Sequence, residues 1–260
     1  MSNQILVLGG TGKTGKRVVE RLEQKNIPVR IGSRNANPSF DWNNPSNWNE
    51  VLKGIQKIYI TYAPDLAVPG SAKAITSLVE AAKKAKVQKL VLLSGRGEKE
   101  AQACEAIVMA SGIDWTVVRA NWFMQNFSEG FFLDSIMAGE LVIPDVNAQD
   151  PFIDADDIAD VVVASLTDDR HSQKIYELTG SKLITFEKAV AMISSAIGRP
   201  VSFRKVSMED YVWLVQYLFS EIMDGRNESV TGDVKKVLGR EPVTFEEFVT
   251  KTNKTGIWNN

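Results

Sequence analysis

Gln4-Ile5-Leu6-Val7-Leu8-Gly9-Gly10-Thr11-Gly12-Lys13-Thr14-Gly15 carries a short apolar run into a glycine-rich turn, and Lys16-Arg17-Val18-Val19-Glu20-Arg21-Leu22 continues it as a helix. Glycines at 9, 12 and 15 give the spacing GxxGxxG, a variant of the dinucleotide-binding fingerprint. The first allows a tight turn, the second lets backbone approach a pyrophosphate, and the third lets the helix pack closely on the strand. The start of the helix then offers unpaired N–H groups and a positive dipole end to phosphates. Three glycines also occur in ordinary surface turns, but here a strand precedes them and a helix follows. The expected nucleotide contacts from this loop are Gly9, Thr11, Gly12, Lys13, Thr14 and Gly15.

The 260 residues can bury a full core, either as one large domain or as one domain with a small appendage. A net charge of -2, with 24% charged and 44% apolar residues, argues against a dedicated nucleic-acid or anionic-membrane binder. The densest basic patch, Lys83-Lys84-Ala85-Lys86 with Lys89, reads as the solvated end of a helix. One cysteine, Cys104, excludes an internal disulfide framework, and with the one histidine, His171, leaves no zinc ligand set. Cys104 reads as a packed thiol and His171 as an exposed turn residue. With a strand at the start, no signal peptide and no apolar run of spanning length, a cytoplasmic location is expected.

Ile27–Gly32 reads as a second strand that ends at Ser33-Arg34-Asn35. An acidic residue there would hold the adenosine ribose 2′-hydroxyl, whereas an arginine accommodates a 2′-phosphate. The chain supplies Arg34, with Ser33 beside it and no carboxylate, so NADP is expected over NAD. Ser39-Phe40-Asp41-Trp42 is expected as a short third strand, with Asp41 and Trp42 on the adenine side or Trp42 in the core. Asn44-Pro45 then caps a helix through Val51-Leu52. The fourth strand, Lys57–Tyr62, should bring Tyr62 and Ala63 toward the ribose and nicotinamide half of the cofactor.

A helix over about 71–84, a strand Lys89–Ser94 apolar on both sides, a helix over about 99–110 and a strand Trp115–Arg119 complete a β-α-β alternation. This is the pattern of an α/β doubly wound parallel sheet. Beyond it, Ala120–Phe127 is aromatic-rich, and Phe131-Phe132 with Leu141–Pro144 reads as an irregular apolar insertion. The chain returns through Pro151–Asp154, a helix over about 156–166 and a strand Ile175–Thr179 that extends the sheet. Thereafter it is mostly helical, with a short strand at Val201–Val206. Ser207-Met208-Glu209-Asp210 is expected to cap a helix whose apolar face is Tyr211, Leu214, Val215, Leu218, Phe219 and Ile222. Trp213 and Tyr217 fall outside that stripe, either as core or as a pocket wall. Thr244-Phe245-Glu246-Glu247 fits a capping box that opens the last helix.

The stretches LGGTGKTG (8–15), GSRN (32–35), LLSGRGE (92–98), GIDWTVVRANWFMQNF (112–127) and PFIDADDIADV (151–161) resemble the NmrA-like branch of the atypical short-chain dehydrogenases/reductases. The subgroup they resemble most includes agroclavine dehydrogenase-like reductases. The resemblance implies a Rossmann domain with strand order 3-2-1-4-5-6-7 over residues 1–120 and 151–182. It also implies a substrate subdomain over 121–150 and 183–260, with the active cleft between the two.

Catalytic members of the wider superfamily place a tyrosine four residues before a lysine, which lowers the phenol pKa for proton transfer. Four residues beyond Tyr59, Tyr62, Tyr176, Tyr211 and Tyr217 stand Ala63, Leu66, Gly180, Val215 and Glu221, so no such pair exists. Ser94 matches the family's active-site serine but is left to orient a substrate or a water, beside the cofactor. Two readings follow. One is an NADPH-dependent reductase passing hydride to a small organic acceptor, a quinone or a cyclic imine or iminium, that needs no protein proton donor. Its expected pocket is Trp122, Phe123, Asn126, Phe127 and Trp213. The other is an NADP(H)-sensing regulator with a protein partner and no turnover. A monomer or weak homodimer is expected.

Overall fold

The computed structural model describes residues 4–259, except for the side chains of Asp210 and Trp213. In chain order the elements are β1 (Gln4–Leu8), α1 (Lys13–Gln24), β2 (Val29–Gly32), α2 (Trp48–Val51), β3 (Ile55–Ile60), α3 (Ser71–Lys84), β4 (Lys89–Gly95), α4 (Lys99–Met109) and β5 (Asp114–Ala120). There follow α5 (Leu133–Ala138), β6 (Glu140–Pro144), α6 (Ala155–Thr167), β7 (Lys174–Leu178), α7 (Phe186–Ile197), β8 (Ser202–Val206), α8 (Trp213–Tyr217), α9 (Asp233–Leu238) and α10 (Phe245–Asn253). The chain divides into two compact units, Met1–Ala120 with Ile158–Glu177, and Asn121–Asp157 with Leu178–Asn260.

The first unit holds a six-stranded sheet in the order β2-β1-β3-β4-β5-β7. The β2-β1, β1-β3, β3-β4 and β4-β5 pairs are parallel. Its central strands are buried on both faces because helices cover both: Leu6, Ile58 and Leu90 are fully buried on one face and Val7, Tyr59 and Val91 on the other. Each such aliphatic side chain contributes about 1.5–3 kcal/mol relative to exposure. The sheet is the doubly wound type the alternation implies, and the strand order reverses at β1, so β1 and β3 flank the switch point.

The expected strand at 39–42 is not part of this sheet; only a bridge between Asp41 and Asn44 forms there. Side chains decide it. Phe40 stacks on Trp48, Trp42 packs edge-on against both, and the Trp48 indole N–H donates to the Asp41 carbonyl. The Asp41 carboxylate accepts the Asn43 N–H and turns the chain back before a ladder can start. Trp42 therefore sits against the core of the first unit.

The second unit has its own core of Phe127, Phe152, Phe186, Phe219, Phe245, Phe248 and Trp258. The stretch expected to be irregular at 141–144 is strand β6, paired in parallel with β8. The expected helix after Ser207 starts later. The Ser207 hydroxyl accepts the Glu209 N–H and closes a single 3-10 turn at Met208–Asp210, Tyr211 is extended, and α8 begins at Trp213 before widening to a π turn at Leu218–Ile222. Thr244 and Glu247 form the reciprocal capping box that opens α10. His171, expected to be exposed, is half-buried with its Nδ1 2.8 Å from the Tyr176 hydroxyl, and burial lowers its pKa. Cys104 is buried, and burial pushes its thiol pKa up.

Candidate active site

The turn after β1 is built from backbone. Gly9 takes φ +65, donates its N–H to the Gly32 carbonyl at 2.8 Å and accepts the Gly12 N–H at 2.8 Å. A Cβ on Gly15 would collide with the Gly9 carbonyl, which is why the first turn of α1 can lie directly on the loop. The Thr61 hydroxyl, just beyond β3, fills the space beside Gly9 and donates to the Leu8 carbonyl at 2.9 Å. Gly12 caps α1 with no side-chain hydrogen bond, and no acidic residue lies in the first turn. The first N–H groups of a helix have no intrahelical acceptors, so this end suits an anion. Thr11 and Gly12 are exposed, Lys13 is half-buried, and Thr14 and Gly15 are buried. The Tyr59 hydroxyl donates to Thr14 Oγ1 at 3.0 Å, and burial raises the Tyr59 phenol far above its ordinary range, so it stays neutral.

The turn after β2 presents Arg34. The Ser33 carbonyl accepts the N–H groups of Ala36 and Phe40, which folds the loop under the guanidinium-bearing residue. Arg34 is exposed and makes no hydrogen bond or ion pair among the described residues. Beyond β3, Tyr62 is half-buried with its ring 4.9 Å from Trp42, and Ala63 is exposed. The glycine turn, the loop after β3 and the loop after β4 lie side by side at the carboxyl edge of the sheet, because β1, β3 and β4 are parallel neighbours.

The turn after β4 is acidic and buried. Ser94 Oγ donates to Glu105 Oε1 at 2.6 Å, so the serine is turned into α4. Glu105 has no exposed surface; Arg119 grips it with Nε at 2.9 Å and Nη2 at 2.7 Å, and reaches Glu177 with Nη1 at 3.0 Å. Arg96 closes the chain onto Glu177 at 2.9 Å. The hydrogen bonds to Glu105 hold the Arg119 pKa above its ordinary value. Next to this network the Glu98 carboxyl lies over the backbone of Gly95, where a Cβ would collide with it. The Asp65 carboxyl, from the loop after β3, is its nearest acidic neighbour in electrostatic terms. Burial, and then the Asp65 charge, push Glu98 up to about 9, and burial raises Asp65 as well.

Sequence reasoning missed this carboxyl pair. The LLSGRGE stretch held Glu98 in view, but nothing local joins it to Asp65, which arrives from another strand.

In the second unit, Trp122 is half-buried, with ring centroids 5.2 Å from Phe219 and 5.5 Å from Phe186. Phe123 bridges to Ile153, and the Asn126 carbonyl accepts the Phe132 N–H at 2.9 Å. Phe127 is fully buried among Phe132, Phe152 and Phe245, a core ring rather than an open wall. The Trp213 side chain lies outside the described residues. The unit's buried acids accept hydrogen bonds within it: Asp150 from Asn121 Nδ2, Asp154 from Gln125 Nε2 and the Asp156 N–H, and Asp157 from Arg240 and the Val243 N–H.

A doubly wound α/β protein with a glycine-lined turn at the first strand and an arginine after the second is thus defined. The chain belongs to the NmrA-like family, whose model matches residues 1–248. It is 27% identical to prestalk A differentiation protein A of Dictyostelium discoideum, over 95% of this chain and 92% of that one. It is 31% identical to the uncharacterized oxidoreductase YesF of Bacillus subtilis, over 95% and 94%. Agroclavine dehydrogenase of Claviceps fusiformis is 25% identical over 98% of each chain, in keeping with the subgroup the motifs resemble. Among solved structures, Citrobacter sp. triphenylmethane reductase complexed with NADP(H) has the same fold, with a TM-score of 0.78 at 19% identity, covering 95% of this chain and 99% of that one.

Proposed function

We propose that this protein is an NADP(H)-dependent reductase that passes hydride to a small organic acceptor, a quinone or a cyclic iminium. The observation that carries the reading is the glycine turn. A Cβ at Gly9 would hit Thr61 and one at Gly15 the Gly9 carbonyl, so only glycine keeps the turn this tight under α1, and the α1 terminus has neither a side-chain cap nor an acid. Those features fit a pyrophosphate. The N–H groups that open α1 would hold the phosphates, Arg34 the adenosine 2′-phosphate, and Tyr62 and Ala63 would border the ribose and nicotinamide. When bound, the reduced dinucleotide supplies a hydride from its nicotinamide ring. The protein's contribution is to orient that ring and exclude water. Trp122, Phe123 and Asn126 are the second unit's candidates for contact with the acceptor.

The missing Tyr-Lys pair also supports a second reading, an NADP(H) sensor without turnover. Incubating the protein with NADPH and a panel of quinones, cyclic imines and cationic dyes, while following the nicotinamide absorbance, separates the two. Oxidation by at least one acceptor class is expected; tight NADPH binding with no oxidation by any of them leaves only the sensor. For cofactor choice, Arg34→Ala is expected to weaken NADPH about ten- to a hundredfold, the worth of a charge-assisted hydrogen bond, and to leave NADH affinity unchanged. An unchanged NADPH/NADH ratio removes Arg34 from the site.

A further inference from the structure

Glu98, whose carboxyl lies over Gly95 at the end of β4, and Asp65, in the loop after the neighbouring parallel β3, lie at the carboxyl edge of the sheet, where ligands of open α/β folds bind. Glu98 is 6% exposed, and no N–H or O–H donor of the described residues reaches its buried Oε2. Its neighbour is a second carboxyl. Ionised carboxylates only accept and repel one another, so a buried carboxyl with an undonated oxygen beside a second carboxyl favours holding a proton. The Ala67 N–H donates to Asp65 Oδ1 at 2.8 Å and favours the ionised form of Asp65, which leaves the proton on Glu98. The other charged side chains facing Glu98 are Glu100 and Glu105 on α4, both of the sign that keeps it protonated. The start of α4, whose N-cap is Glu98, favours the anion, but the Glu98 side chain makes no capping hydrogen bond there. The nearby cations Arg96 and Arg119 are engaged by Glu177 and Glu105.

We propose that Glu98, buried over Gly95 with its Oε2 unpartnered, donates a proton to the acceptor heteroatom that becomes anionic on reduction. This rests on the reductase reading and narrows it, since a quinone oxygen gains a proton on reduction, from water or from a protein acid, and an iminium carbon does not. In the step, the quinone takes a hydride with its two electrons from the reduced nicotinamide dinucleotide, which leaves oxidised. The Glu98 O–H bond breaks, and its proton goes to the quinone oxygen. The hydroquinone departs, and the carboxyl pair, now doubly negative, regains one proton from water. The Tyr-Lys pair missing from this chain is thereby replaced by two carboxyls.

The test uses the full chain and Glu98→Gln, with NADPH and two acceptors: 1,4-naphthoquinone, which needs a proton, and a cationic triphenylmethane dye, whose carbon takes hydride alone. The ratio of naphthoquinone to dye kcat is expected to fall about 100-fold in the variant, the lower end of general-acid effects. The NADPH Kd from fluorescence titration should stay within about twofold. Without cofactor, the infrared band of a protonated carboxyl should be present in the wild type at neutral pH, fade in alkali and be missing from Glu98→Gln. An unchanged kcat ratio, or no such band in the wild type, overturns the proposal. Should Glu98→Gln not fold, Asp65→Asn carries the test. Removing the neighbouring charge should move the alkaline limb of naphthoquinone kcat to lower pH, and an unmoved limb overturns the donor role. A wild type that binds NADPH but oxidises it with neither acceptor overturns the reductase reading itself. Failure of the donor role alone leaves wild-type turnover intact.

Discussion

Two turns leave the carboxyl edge of the same parallel sheet and are built on opposite charges. The one after β1 is nearly all backbone: three glycines, a helix start with no cap and no acid in its first turn. The one after β4 is nearly all side chain, with Glu98 and Glu105 buried and Asp65 brought in from the neighbouring loop. One presents N–H donors to an anion; the other stores a proton. A carboxylate in the first turn of α1 would repel phosphates, whereas Glu98 is the N-cap of α4, where burial and the neighbouring carboxylates outweigh the pull of the helix start toward the anion. Their separation across β1, β3 and β4 is what lets one sheet edge do both.

The largest expected difference between the turns is their response to pH. The Glu98 pKa is raised above that of an unfolded carboxyl. Its stabilisation is therefore fully present below the unfolded pKa, near 4.3, and is lost as pH rises through the folded value of about 9. In between, the native state holds the extra proton, so wild-type stability should fall as pH rises, by at most about 1.4 kcal/mol per pH unit for one proton. Urea denaturation of Glu98→Gln at a series of pH values should show that slope removed. The glycine turn contains no group that contributes to it. A slope that survives the substitution places the titrating proton elsewhere.

The same contrast explains what could be read in advance. The glycine turn was legible because backbone geometry is written locally: only glycine accepts φ +65 at position 9 or the contact of α1 with the Gly9 carbonyl at position 15. The alternation of strands and helices was legible for the same reason. Phe40 and Trp42 misled because an aromatic run has the composition of a strand, while its packing on Trp48 folds it into a turn. Ser94 was placed correctly at its strand end, but the direction of its hydroxyl depends on Glu105, in a helix it precedes. Glu98 and Asp65 follow different strands, so their meeting exists only once β3 and β4 pair.

A smaller effect is expected at the glycine turn. Gly15→Ala must push the Gly9 carbonyl or α1 aside, since the obstacle is backbone and not the end of a flexible chain. Overpacking of this kind costs about 1–3 kcal/mol, and the displaced N–H groups should weaken NADPH binding at least about tenfold. Thermal denaturation and fluorescence titration check the two parts. Lost stability with unchanged NADPH affinity means that the helix start does not hold the phosphates.

The smallest effect expected is at the acidic turn's own support. Ser94→Ala removes the 2.6 Å hydrogen bond to Glu105 Oε1, but Arg119 Nε remains on that oxygen at 2.9 Å, so the carboxylate is not stranded. A loss of about 1 kcal/mol follows, measurable by urea denaturation. If Ser94 only ties β4 to α4, kcat for 1,4-naphthoquinone should stay within about twofold. A fall of about tenfold or more at unchanged NADPH affinity means the hydroxyl leaves Glu105 to orient the acceptor. That outcome puts Ser94 beside Glu98 in the reaction and makes the acidic turn a two-residue device rather than a single proton store.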